Sequence, residues 1–179
     1  MALSSITVSQ GTSAYRIGAF VLFAATATIL TALGFEHLGG YQPCQLCLEQ
    51  RWAYYAGIPV LFAALVLVAS HKPKAAGILF FLAALGFLAN SGLGIYHSGV
   101  EWKLWAGPAG CSSTQALPGS VGDLMKGLGQ GGHIARCDDS AWRFAGLSFA
   151  GWNALISLAL FAGALKAASA AVADTAARR

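Results

Sequence analysis

The sequence predicts an all-α protein: a four-transmembrane-helix bundle with two outer-facing loops and a short amphipathic loop helix. Three observations carry this. Hydrophobic residues make up 56% of the 179 and charged residues only 10%, with a mean hydropathy of +0.61. A soluble domain carries about 25% charged residues, so this chain lacks the charge to coat a globule. The apolar residues also gather in four runs close to the roughly 20 residues that a spanning helix needs. Finally, these runs show no strict two-residue alternation. Helices and closed barrels alone satisfy every backbone group inside lipid, and without alternation the helix is the solution.

The first span is expected at residues 17–33, IGAFVLFAATATILTAL. It is longer than the apolar stretch of a cleavable signal peptide, follows only one basic residue, Arg16, and ends in GFEHLGG. It is therefore expected to be retained. The second span is expected at 52–70, without an internal charge, the third at 75–94 and the fourth at 144–165. The outer loops then cover 34–51 and 95–143, and the whole chain, 1–179, reads as one integral-membrane domain. Asn90, Ser91 and Asn153 are the notable polar groups in the spans, and such groups usually face protein rather than lipid. Gly146, Gly151 and Gly163 suit close helix packing. Trp52, Tyr54 and Tyr55, then Tyr96, Trp102 and Trp105, then Trp142 and Trp152, sit near span ends, as interface aromatics do.

Charge sets the sidedness. Lys72 and Lys74 lie in the four-residue connector HKPK, and Arg16, Lys166, Arg178 and Arg179 share its side. Arg51, Lys103, Lys126, Arg136 and Arg143 lie opposite, diluted over much longer loops and mixed with six of the seven acids. Density of Lys and Arg in short flanking segments marks the cytoplasmic side, so both termini are expected there. The net charge of +4 is an anchoring bias and not a nucleic-acid footprint.

All four cysteines, Cys44, Cys47, Cys111 and Cys137, then fall on the outer side, where disulfides persist. Three pairings are open; proximity favours Cys44–Cys47 and leaves Cys111–Cys137. PCQLC at 43–47 precedes an apolar helical run, so its thiols lie near a helix start, where the dipole favours a thiolate. Redox exchange competes here with a structural staple and a metal clamp. A four-residue ring constrains little chain entropy, and no second CxxC or compact Cys/His module completes a zinc site, so no metal is expected. Arg51 follows Cys47 by four residues and shares its helical face. It suits a thiolate or a lipid-soluble acceptor, and equally a snorkelling anchor. Closing the longer Cys111–Cys137 interval constrains the unfolded chain by roughly 3.5 kcal/mol in the entropy model, which makes a structural role credible there. Between these two cysteines, Leu117, Val121, Leu124, Met125 and Leu128 fall at helical spacing. Their apolar face suits either the membrane surface or the bundle. His97, at the outer end of the third span, reads as a quinone-pocket residue or an ordinary interface histidine.

PCQLC followed by Glu49-Gln50-Arg51, the four spans and the outer Cys111/Cys137 pair together resemble the DsbB family of bacterial disulfide bond formation proteins. The resemblance covers nearly the whole chain. It implies an inner-membrane four-helix bundle that reoxidises a periplasmic thioredoxin-like dithiol oxidase resembling DsbA and passes the electrons to membrane quinone, with ubiquinone favoured and menaquinone also compatible. It implies that Cys44 and Cys47 form the quinone-proximal pair and that Cys111–Cys137 is the partner-facing pair, with Cys111 the site of the mixed disulfide. Arg51 matches the arginine associated with quinone, and His97 the histidine near that pocket. Gln45-Leu46 is a local variation between the proximal cysteines.

Overall fold

The computed structural model describes residues 3–108, 137 and 142–177. Its elements are α1 (Leu3–His37), α2 (Gln45–Ala69), α3 (Pro73–Glu101), the two-residue strands β1 (Arg143–Phe144) and β2 (Leu147–Ser148), and α4 (Phe149–Ala177). Among the described residues, four segments are long and apolar enough to cross a membrane: Ser13–His37, Gln45–Ala69, Pro73–Glu101 and Phe149–Asp174. The protein is thus an all-α, multi-pass bundle. The segment expected as an amphipathic loop helix lies outside the described residues, as does Cys111.

The helices run beyond the apolar windows because their ends are built by local chemistry. α2 closes with the His71 N–H on Val68 O and the Lys72 N–H on Leu67 O, with His71 in the left-handed region (φ 58°). This is the Schellman arrangement, which satisfies carbonyls that the helix leaves open. Pro73 then opens α3 at its first position, where its missing N–H costs nothing. α3 ends the same way: Lys103 (φ 61°) donates to Val100 O and Leu104 to Gly99 O. Those extra turns beyond residue 94 carry His97 and Glu101 into the bundle. The fourth helix begins at Phe149, because residues 143–148 form a hairpin pairing Arg143 with Ser148 and Phe144 with Leu147. Ala145 and Gly146 both have positive φ there (51° and 82°), as a two-residue primed turn demands. Gly146 thus serves the turn, not helix packing.

α3 packs most extensively against α4, and α2 bridges α1 and α3. Phe80, Phe87, Leu61, Val21 and Leu160 fill the mid-bundle core. A Cβ on Gly94 would lie 3.0 Å from the Cα and N of Ala154, so glycine there lets the α3 and α4 backbones approach. Phe20, Phe23, Leu30, Phe62, Ile78 and Val172 remain exposed, as lipid-facing side chains do. Thr26, Thr28 and Thr31 return their hydroxyls to carbonyls four residues back, each at 2.8 Å, leaving none of these donors bare towards hydrocarbon. At the bundle end where α1 finishes and α4 begins, Phe35, Tyr41, Trp142 and Phe149 form an aromatic cluster.

Candidate active site

The site grows from the start of α2. Cys44 is the N-cap, and its Sγ accepts the Cys47 N–H at 3.2 Å. A cap side chain bonds the third helical residue, so the CxxC spacing brings both sulfurs to one point. Cys44 and Cys47 are free thiols with sulfurs 2.8 Å apart. Cys44 is 6% exposed and Cys47 half-buried.

His97 completes the pocket from α3. Its Nε2 lies 3.6 Å from Cys44 Sγ and 3.9 Å from Glu101 Oε1, while its Nδ1 lies 2.8 Å from Gln50 Nε2. Hydrogen bonds from Cys47 hold the Cys44 thiol well below its ordinary value of 9.0, at about 5. Burial acts the other way, and contact with His97 adds to the lowering. Cys44 precedes the membrane-span segment of α2, at the positive end of its dipole. Ser148 bonds the Glu101 carboxyl, and Arg143 faces it electrostatically.

Cys137 is buried and disulfide-bonded, and it packs in one cluster with Cys44, Leu46 and Val100. Arg51 forms an ion pair with Glu36 of α1. Its side chain is half-buried beside an exposed stripe of Leu48, Trp52 and Tyr55 on α2. His97 therefore meets Cys44 and Gln50, and Arg51 meets α1. Cys44, Cys47 and His97 offer three ligand atoms within 4.8 Å. Two thiolates on one tetrahedral zinc, however, would stand about 3.8 Å apart at Zn–S bonds of about 2.3 Å. The two sulfurs here stand 2.8 Å apart as a hydrogen-bonded thiol pair.

Sequence reasoning assigned no site role to Gln50, Ser157, Glu101 or Glu36, and Tyr54, expected as an interface aromatic, is instead 3% exposed and donates to Asn153 Oδ1. Gln50 is buried and accepts the Asn153 amide at 2.6 Å. A buried polar residue three places after the second cysteine was the available signal, but one helix alone does not show which of its residues is buried.

Four membrane-length helices gathered around a thiol pair define a class: multi-pass membrane proteins of thiol–disulfide chemistry. The family model for disulfide bond formation protein DsbB matches residues 15–167. The chain belongs to the DsbB family. It is 32% identical to disulfide bond formation protein B of Methylococcus capsulatus, over 87% of this chain and 92% of that one. It is 31% identical to the protein of that name from Marinobacter nauticus (79% and 86%) and 32% identical to the one from Aromatoleum aromaticum (79% and 84%). No solved structure matches the chain.

Proposed function

We propose that the protein is a protein-dithiol:quinone oxidoreductase of the bacterial inner membrane, which reoxidises a periplasmic thioredoxin-like dithiol oxidase. Both termini would be cytoplasmic and the four cysteines periplasmic. The observation that carries this reading is that Cys137 lies in the same small buried cluster as Cys44, because two redox pairs exchange only if their sulfurs can meet. Cys111 is the remaining cysteine of the sequence, and we take it as the partner of Cys137.

A thiolate of the reduced partner attacks Cys111, forming a mixed disulfide and releasing Cys137 as a thiolate. The partner's second thiolate displaces Cys111, so the partner leaves oxidised and the loop pair is left as two thiols. Exchange with the Cys44–Cys47 disulfide restores the loop disulfide and reduces the proximal pair. The thiolate is the attacking species at each exchange step and a thiol of low pKa leaves fastest, so a Cys44 held near pKa 5 suits the proximal pair as its leaving sulfur.

The donor set fits a quinone. The stripe of Leu48, Trp52 and Tyr55 offers apolar surface to a lipid-soluble ring, and the Arg51 guanidinium offers several N–H donors to a carbonyl oxygen. Arg51 would hold the group, and His97 would stand behind the sulfur that faces it. When bound, quinone supplies a sink for two electrons and two protons. Cys44 and Cys47 then close to a disulfide, with Cys47 providing the second sulfur.

The test reconstitutes the purified protein in lipid with a reduced thioredoxin-like oxidase and either ubiquinone or menaquinone. Quinone-dependent loss of partner thiols, absent in Cys44→Ala, is expected. If neither quinone supports thiol loss while the protein remains folded, the acceptor assignment is wrong. If another thiol protein is oxidised and this partner is not, the related reading of a quinone reductase for a different thiol substrate replaces it.

A further inference from the structure

A chain of buried polar groups crosses the bundle behind the thiols. Asn90 donates to Ser157 Oγ at 2.9 Å, and Ser157 lies 3.2 Å from the Tyr54 hydroxyl. Tyr54 donates to Asn153 Oδ1 at 2.6 Å, and the Asn153 amide donates to Gln50 Oε1 at 2.6 Å. Gln50 Nε2 meets His97 Nδ1 at 2.8 Å, and His97 Nε2 meets Cys44 Sγ at 3.6 Å. Asn90, Ser157, Gln50 and His97 are each at most 5% exposed. α2 contributes Gln50 and Tyr54, α3 contributes Asn90 and His97, and α4 contributes Asn153 and Ser157, so each link but one joins two helices.

The chain has a direction. Tyr54 has one hydroxyl proton, and giving it to Asn153 leaves its oxygen to accept from Ser157. An amide has an acceptor end and a donor end. Asn153, accepting from Tyr54 by its oxygen, presents its nitrogen to Gln50. Gln50, accepting by its oxygen, presents its nitrogen to His97. A ring nitrogen that accepts carries no proton, and the neutral imidazole then holds its proton on the other nitrogen.

We infer that this chain fixes the tautomer of His97, with Nδ1 as acceptor and the Nε2 proton directed at Cys44, and that Gln50 is the positioning residue that sets it. His97 is thereby a built-in donor to the Cys44 sulfur. It stabilises the thiolate without taking the proton from it, and Cys44 releases its proton elsewhere. After the hydrogen bond from Cys47, a side-chain hydrogen bond from His97 is among the causes that lower the Cys44 value, as a donor at Nε2 requires. Among the described residues, the other titratable and charged groups around the sulfur are Cys47 from α2, Glu101 from α3 and, facing Glu101, Arg143 from β1. Cys137 is disulfide-bonded and does not titrate. The consequence for turnover rests on the proposed function, but the tautomer itself does not.

The test is nitrogen NMR of the reduced, histidine-labelled protein in detergent, with the His97 signals identified by their loss in His97→Asn. In the wild type, Nδ1 is expected unprotonated and Nε2 protonated. Gln50→Glu keeps the size and the bond from Asn153 but replaces the donor with an acceptor, so Nδ1 is expected to gain a proton. Gln50→Leu is expected to raise the Cys44 pKa by about 1, as the Nε2 donor is no longer held in place. A wild-type His97 protonated at Nδ1 would reverse the chain and overturn the inference, as would identical His97 signals in wild type and Gln50→Glu. None of these readouts uses quinone or the partner. Failure of turnover in lipid with the expected tautomer intact would therefore fault the proposed function alone.

Discussion

Titrating Cys44 probes the chemistry of the proximal pair most directly. Held at about 5 against an ordinary value of 9.0, the sulfur is almost wholly thiolate at pH 7, whereas an ordinary thiol is almost wholly protonated there. At pH 7 the difference that counts is the two pH units between 5 and 7, because a thiol at 9 has not begun to ionise. Those two units stabilise the reduced pair by about 3 kcal/mol. For a two-electron couple this makes the pair more oxidising by about 60 mV. The folded value lies below the unfolded one. The thiolate's contribution to the stability of the reduced protein is therefore fully present above pH 9 and is lost as the pH falls through about 5. The assay is the rate of Cys44 alkylation against pH, read by mass analysis of its peptide, in reduced wild type and in Cys47→Ala. Wild type is expected to give a midpoint near 5. Cys47→Ala removes the largest stabilising contact and should move the midpoint upward by about 1 to 2. A wild-type midpoint at the ordinary thiol value would refute the reasoning, because it would mean that neither Cys47 nor His97 favours the charged form.

Arg51→Ala should weaken quinone use several-fold while leaving the bundle folded; unchanged maximal rate and unchanged apparent quinone affinity would return Arg51 to an anchor paired with Glu36. In Cys137→Ala the Cys111 thiolate should attack the oxidised partner's disulfide, releasing the partner's second thiol, and the resulting mixed disulfide should persist longer because no Cys137 thiol competes to resolve it; accumulation of a partner bond to Cys44 on non-reducing mass analysis would reverse the assigned order. Gly94→Ala drives a Cβ against the Ala154 backbone at 3.0 Å, so a loss of about 1 to 3 kcal/mol is expected, seen as a lower Tm in detergent; an unchanged Tm would show that α3 and α4 separate freely. A membrane-impermeant thiol reagent applied after reduction should label the loop cysteines in right-side-out vesicles, and labelling confined to inside-out vesicles would reject cytoplasmic termini.

By itself the sequence determined what depends on short stretches. Four long apolar runs become helices because lipid offers backbone groups no other partner. Cys44 and Cys47 converge because three residues at a helix start bring a cap side chain onto the third N–H. Helix ends were harder to read, since His71 and Lys103 take the left-handed conformation that glycine usually supplies. The two-residue hairpin before Phe149 was hidden in an apolar stretch that continues into α4. The tertiary structure alone decided which polar groups meet. Arg51 found Glu36, His97 found Cys44 and Gln50, and Asn153 found both Gln50 and Tyr54, across separations of up to 103 residues. Cys137 joined the buried cluster of Cys44 in the same way. In a soluble helix, amphipathic periodicity would have pointed these residues inward. In lipid the outer face is as apolar as the packed one, so the pattern that tells inside from outside is nearly erased, and only the assembled bundle shows where each polar side chain is satisfied.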